Sequence, residues 1–296
     1  MYLTRFRFNT RRTGARRVLS SPRVLHACVM SSYADALPSD SDGPRVLWRV
    51  DRPAPAETFL YIVGPDRPDL THLVEQAGWP ETPRWETREY TPFLHRLTAG
   101  DTWAFRLTAN PVHHIRRKDG EPTKPTAHRV PAHQLRWLTE RQEAAGFRVL
   151  PRAPHRRPEP PAGLDDPALD EKTRRDLRAR YDLRALEVVV HDRRDHRFDK
   201  GPRDDRHGDP GPAVGTGEEA GDTAAHDPFL SLADPSARAE TGGRRRGPVT
   251  MVTATFDGRL EVTDPDALRR TLTLGLGRGR AYGCGLMTLA PTGAAR

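Results

Sequence analysis

The sequence predicts an α+β protein of two β-α-β-β-α-β units in tandem, the second interrupted by a long insertion. Three observations lead to this reading. Short apolar runs with strand alternation recur in both halves of the 296 residues. Amphipathic stretches with helix-start signals, Ser21-Pro22 and Asp264-Pro265 among them, lie between those runs. From Pro151 to Gly247 the patterning collapses, and that region holds eleven of the 28 prolines with dense Asp and Arg.

The elements follow in order. Tyr2-Leu3-Thr4-Arg5-Phe6-Arg7-Phe8 alternates large apolar with basic residues, which is a strand over 2–9. Seven arginines and no acid precede Asp35, a composition shared with organelle leaders, but the alternation argues for a strand of the fold. After Ser21-Pro22 a helix runs through RVLHACVMSSYADA, with Leu25, Cys28, Val29, Ser32 and Ala36 on one face. RVLWRV and TFLYIVG are strands, DLTHLVEQ a short helix and WETREY a closing strand.

The second unit opens with the strand DTWAFRLTANPV, stopped at Asn110-Pro111. A basic loop, HHIRRKDGEPTKP, follows. PAHQLRWLTERQEAAG is a helix ending at Gly146, and FRVL is a strand. The stretches near 152–180 and 199–246 read as linker or disordered insertion, separated by the strand LRALEVVVHD over 183–192. In PVTMVTATFDGRLEV, Asp257-Gly258 between two alternating runs signals a hairpin. DPDALRRTLTLG is a helix capped by Asp264, and a last strand follows a glycine-rich loop. The expectation is two ferredoxin-like (RRM-like) domains, residues 1–95 and 100–291.

Composition narrows the chemistry. The net charge of +8, the pI near 10.0 and a mean hydropathy of −0.74 favour an anionic partner. All but four of the basic residues are arginine, so part of the excess reflects a GC-rich gene. Two distant cysteines, Cys28 and Cys284, make neither a disulfide framework nor a zinc pattern, which fits a reducing cytoplasm. No run approaches the length of a membrane span.

The segment GLGRGRAYGCGLMTLAP carries five glycines within Gly275–Gly285, beside Arg278 and Arg280. Glycines allow backbone amides close to a phosphate. The segment lacks the Gly-Lys-Ser/Thr of a Walker loop, and it follows a helix and opens a strand, the reverse of a dinucleotide fingerprint. It reads equally as a connection packed closely on a neighbouring domain. His26, early in the first helix, is a general acid or base or a packed boundary residue. His113-His114 and His128/His133 match no metal-ligand spacing. Arg116, Arg117, Lys118, Arg129, Arg193, Arg194 and Arg197 flank strands, where they face a phosphate backbone or simply solvent. The aromatic signature of an RRM sheet face is absent.

Four stretches together resemble the CasE family, the CRISPR RNA-processing endoribonucleases of type I-E Cascade. They are MYLTRFRFN, SPRVLHACV, FRLTANPV, and FDGRLEVTDPDAL with GLGRGRAYGCGLMTLAP. The resemblance covers roughly 1–150, 183–192 and 248–291. It implies tandem ferredoxin-like domains and metal-independent, cofactor-free cleavage of repeat RNA at the base of a stem-loop. It makes His26 the proton-transfer residue. It puts Gly277, Arg278, Gly279 and Arg280 near the RNA and between the domains, and makes the strand at 183–192 with the RRDHR after it the arm that enters the hairpin's groove. Two positions depart from the pattern. Arg23 stands where a tyrosine is common, one turn before the histidine, and Ser31 stands where a basic residue is common. Arg23 suits phosphorane stabilisation, but it cannot donate and accept as a phenol does. A catalytically inactive RNA-hairpin-binding subunit is therefore the alternative. The partners implied are the repeat RNA and other Cascade subunits, with no membrane.

Overall fold

A computed structural model describes residues 1–34, 45–80, 85–115, 124–161, 164, 169–198 and 249–292. The first half contains β1 (Tyr2–Arg7), α1 (Thr13–Leu19), α2 (Pro22–Met30), β2 (Leu47–Ala54), β3 (Glu57–Gly64), α3 (Thr71–Ala77), β4 (Glu86–Glu89) and the short α4 (Thr91–His95). The second contains β5 (Thr102–Ala109), β6 (Val112–Ile115), β7 (Lys124–Ala127), α5 (Pro131–Thr139), β8 (Phe147–Val149), α6 (Glu171–Arg184), β9 (Val188–Phe198), β10 (Val249–Val262), α7 (Pro265–Leu274) and β11 (Met287–Pro291).

The first sheet has the order β2-β3-β1-β4 and the second β11-β5-β10-β8. Taking β5, β8, β10 and β11 as the four strands of the second unit, the two orders are the same: first and third strands central, second and fourth at the edges. This is the ferredoxin-like arrangement in each half, as the element order predicts. β1 is therefore an inner strand, antiparallel to both β3 and β4. Its alternation buries Phe6 and leaves Arg5 and Arg7 exposed, their guanidiniums over the Phe59 ring.

The described residues of 1–196 and 250–292 belong to one compact unit. Leu47, Val63 and Tyr90 of the first half share an apolar core with Phe105, Leu107, Phe256 and Leu286 of the second. A buried charge network also crosses between the sheets. Arg49, on β2 and 2% exposed, grips Asp51 with Nε to Oδ1 at 2.6 Å and Nη2 to Oδ2 at 2.8 Å. It also donates to the carbonyls of Arg106 (2.8 Å) and Leu286 (3.0 Å) and to Thr288 Oγ1 (2.8 Å). Arg106 lies 3.6 Å from Asp51 and donates twice to Asp257, at 2.7 and 2.6 Å. Asp257 in turn meets His191 at 2.9 Å.

Several local expectations need correction. Asp257-Gly258 is no turn: β10 runs straight through it, with Asp257 opposite Arg106 and Gly258 opposite Phe105. Asp257 is there to hold Arg106. Gly258 is there because a Cβ would lie 2.5 Å from the Glu187 carbonyl oxygen. The basic loop after Pro111 is a hairpin at its ends, Val112 pairing with Ala127 and Ile115 with Lys124. The 152–180 stretch holds the start of α6, and residues 183–184 close that helix, so the following strand begins at Val188. α6 buries no residue and is held by its Asp170 cap and the Glu171–Arg175 and Arg178–Asp182 pairs, so it lacks the apolar stripe that betrays a helix in sequence. α1 has seven residues and α4 five, short of the roughly 11-residue window over which a helical period can be recognised. The 199–246 stretch and Ala36 lie outside the described residues.

Candidate nucleic-acid interface and proton-transfer site

α2 begins at Pro22 and presents Leu25, Cys28 and Val29 to the core. His26 falls at the margin of that stripe and is half-buried. Its Nδ1 is closed to solvent with no hydrogen-bond partner among the described residues. Burial pushes its pKa below the ordinary imidazole value, so the neutral ring is the resting form at pH 7. Arg23 stands three residues earlier on the same face, half-buried, with no ion pair among the described residues. The Ser31 hydroxyl donates to the Ala27 carbonyl at 2.7 Å, so it serves the helix end.

The glycine-rich loop reaches His26 from the far end of the chain. A 3-10 turn over Arg280–Tyr282 packs on α2 and β2. The Tyr282 ring meets the His26 ring edge to face, with centroids 6.4 Å apart. Gly275, Gly277, Gly279, Gly283 and Gly285 all have positive φ. At Gly283 (φ 79°) a Cβ would also stand 2.6 Å from the Trp48 ring, and at Gly277 (φ 85°) 2.8 Å from Trp137. The loop is therefore both left-handed in backbone and pressed onto aromatic side chains from both halves. It is tied to β5 by the Gly285 amide donating to the Thr108 carbonyl at 2.8 Å and by a β-bridge between Asn110 and Arg278. The Ala-Asn-Pro motif and the glycine loop thus meet in space.

An open cleft over the loop is lined by Arg45, Gly277, Arg278, Gly279, Arg280, Ala281 and Tyr282. Three arginines and no acid line it. Arg280 has its pKa lowered by burial and by the nearby Arg45 charge. Such a surface suits a polyanion. Tyr282 is the link between this cleft and the imidazole.

The structure thus brings His26 to Tyr282, on the loop that carries Gly277, Arg278, Gly279 and Arg280, and keeps Arg23 on the same helix as His26. Arg129 and Arg193 sit elsewhere, on the surface by β9: Arg129 pairs with Asp195 at 3.3 Å and accepts at its carbonyl from Arg193 Nη1, also at 3.3 Å. Arg197 is exposed on β9. Arg194 bonds to Asp192 at 2.9 Å and lines a second cavity that also includes Tyr282. Arg116, Arg117 and Lys118 lie outside the described residues. Sequence reasoning passed over Arg45 and Tyr282. The first carries no local signal beyond charge, and the second is one residue of a loop whose partner is 256 positions away. His113 stacks on His128 at 4.4 Å and His128 meets His133 at 5.8 Å, yet among the described residues no group of three or more metal-ligating side chains is arranged to hold a metal ion.

A family model described as CRISPR associated protein matches residues 1–216 and 227–291. The chain is 26% identical over 293 residues to the CRISPR-associated endoribonuclease Cse3 of Thermus thermophilus, covering 98% of this chain and all of that one. Among solved structures it superimposes on CRISPR endoribonuclease Cse3 bound to a 19-nucleotide RNA with a TM-score of 0.61, at 22% identity over 98% of this chain and 100% of that one. It also superimposes on a chain of a CRISPR RNA-guided surveillance complex with a TM-score of 0.53, at 20% identity and the same coverage. These two likenesses carry the fold.

Proposed function

The chain belongs to the CasE branch of the CRISPR-associated protein family, and from that premise we propose that it is an endoribonuclease that processes CRISPR repeat RNA. It cuts at the base of the repeat stem-loop, needs no metal, and stays on the product as a subunit of a Cascade complex in the cytoplasm. The observation that carries this reading is the edge-on meeting of His26 with Tyr282 beside a cleft of arginines.

RNA contains its own nucleophile, the 2′-hydroxyl next to the scissile phosphate. The 2′-oxygen–phosphorus bond forms and the phosphorus–5′-oxygen bond breaks. The hydroxyl proton passes to the His26 imidazole, whose burial keeps it neutral and ready to accept. The 5′-oxygen leaves with a proton returned by the imidazolium or by water. The products are a 2′,3′-cyclic phosphate and a 5′-hydroxyl. Arg23 and the loop arginines supply positive charge to the phosphorane.

The test is single-turnover cleavage of a repeat stem-loop in EDTA with end-group analysis. The wild-type protein cuts and leaves the cyclic phosphate, and a 2′-deoxy substitution at the cut abolishes cleavage. His26→Ala lowers the rate roughly 10²- to 10⁴-fold with hairpin binding intact. Tight binding without cleavage by wild type assigns the chain to the inactive hairpin-binding class instead. Cleavage lost only in chelator assigns it to metal-dependent nucleases.

A further inference from the structure

Tyr282 has a second cavity on it, separate from the arginine cleft. Its lining includes Ser21, Arg52, Asp192, Arg194, His196 and Tyr282. The chain therefore brings β2, β9 and the start of α2 to the same tyrosine that meets His26. Part of the wall is apolar, formed by Pro22, Leu25, Trp48 and Val50. The Trp48 indole Nε1–H is buried and has no hydrogen-bond partner among the described residues.

The charge here is uneven. Arg52 is exposed and makes no ion pair among the described residues. Arg194 has Asp192, at 2.9 Å, as its acid. His196 is held by Thr253 Oγ1 at 3.1 Å, and both arginines lie close enough to disfavour its protonation, after burial itself. Asp192 has φ 47°, which among the described residues makes it the one non-glycine with positive φ. A strained backbone that aims a cavity residue is found most often at binding sites. Cations gathered beside an apolar wall, with one acid between them, fit a nucleotide: base or ribose on the wall, phosphate on the arginines.

We infer that this cavity is a nucleotide subsite, in which Arg52, Arg194 and His196 take the phosphate of an unpaired RNA nucleotide adjoining the cut while Trp48 and its neighbours take the sugar or base. The inference rests on the reading that the protein cleaves a repeat stem-loop. It adds a second contact point at the tyrosine that also lines the arginine cleft, joining Arg194 and His196 of the RRDHR run to Arg52, which lies in no basic run.

Arg52→Gln and His196→Gln, in the full-length protein, test it against an uncleavable stem-loop carrying a 2′-deoxy nucleotide at the cut and unpaired nucleotides on both sides. Arg52→Gln is expected to reduce the salt slope of binding by about one phosphate contact, so that about threefold less affinity is lost between 50 and 200 mM salt. Arg52→Lys restores the slope. Methylphosphonates placed singly along the unpaired strand will reveal one position that weakens wild type and leaves Arg52→Gln unaffected. His196→Gln weakens binding at that same position. If both variants fold, as judged by melting temperature, and bind with unchanged slope and no selective methylphosphonate position, the cavity takes no phosphate and the inference fails alone, wild-type cleavage being intact. If wild type neither binds nor cuts any stem-loop, the endonuclease reading fails and the subsite falls with it.

Discussion

The His26 and Tyr282 rings, 256 residues apart in sequence, meet edge to face at 6.4 Å. A contact of this kind is worth about 0.5–1.5 kcal/mol beyond the area it buries. Tyr282→Ala is therefore expected to lower single-turnover cleavage up to about tenfold by loosening the imidazole, while Tyr282→Phe keeps most of the rate. A Phe variant as slow as the Ala variant would mean that the hydroxyl, and not the ring, matters.

Burial lowers the His26 pKa, so cleavage should show an acid limb with its midpoint below 6.5 and a plateau through pH 7. The pH dependence of kcat/KM checks this. A midpoint above 6.5 would contradict a proton-accepting role for a desolvated ring.

His26, His128 and His196 all have pKa values lowered mainly by burial. Between their folded values and the ordinary 6.5, the unfolded chain binds more protons than the folded one. Stability should thus be full above about pH 6.5 and fall as pH drops from 7.5 to 5.5. Urea unfolding at the two pH values measures the loss, and His128→Gln should diminish it.

Arg49 and Asp51 form a two-pronged ion pair with almost no solvent around it. Arg49→Met strands the Asp51 carboxylate with the partial help of Arg106 and is expected to cost about 3–5 kcal/mol. The double variant Arg49→Met with Asp51→Leu should recover much of that loss in chemical unfolding, because no charge is then left buried alone.

Gly283→Ala places a methyl against the Trp48 ring at a backbone conformation that alanine resists. A loss of about 1–3 kcal/mol is expected, with cleavage impaired further because Tyr282 is the preceding residue. An unchanged melting temperature and rate would show that the loop is free to shift.

Local order was written in the chain. Period-two alternation in β1 and β3, the Ser21-Pro22 and Asp264-Pro265 helix starts, and the strand and helix order of both units were legible because each depends on neighbours a few residues apart. His26, Arg278 and Arg280 were singled out as candidates by likeness of short motifs. Two stretches were misread, for different reasons. Asp257-Gly258 looks like a turn until Arg106 and the Glu187 carbonyl are placed opposite it. α6 looks like a linker because only its cap and its ion pairs mark it.

Tertiary structure alone decided which distant segments meet. It put Tyr282 on His26, Asn110 on Arg278, Arg45 in the cleft, and Arg52 with His196 around a second cavity. Periodicity and capping report a residue's own element. The pairing of one loop with another depends on the packing of two sheets across a shared core, and no short window of sequence contains both sides of that contact.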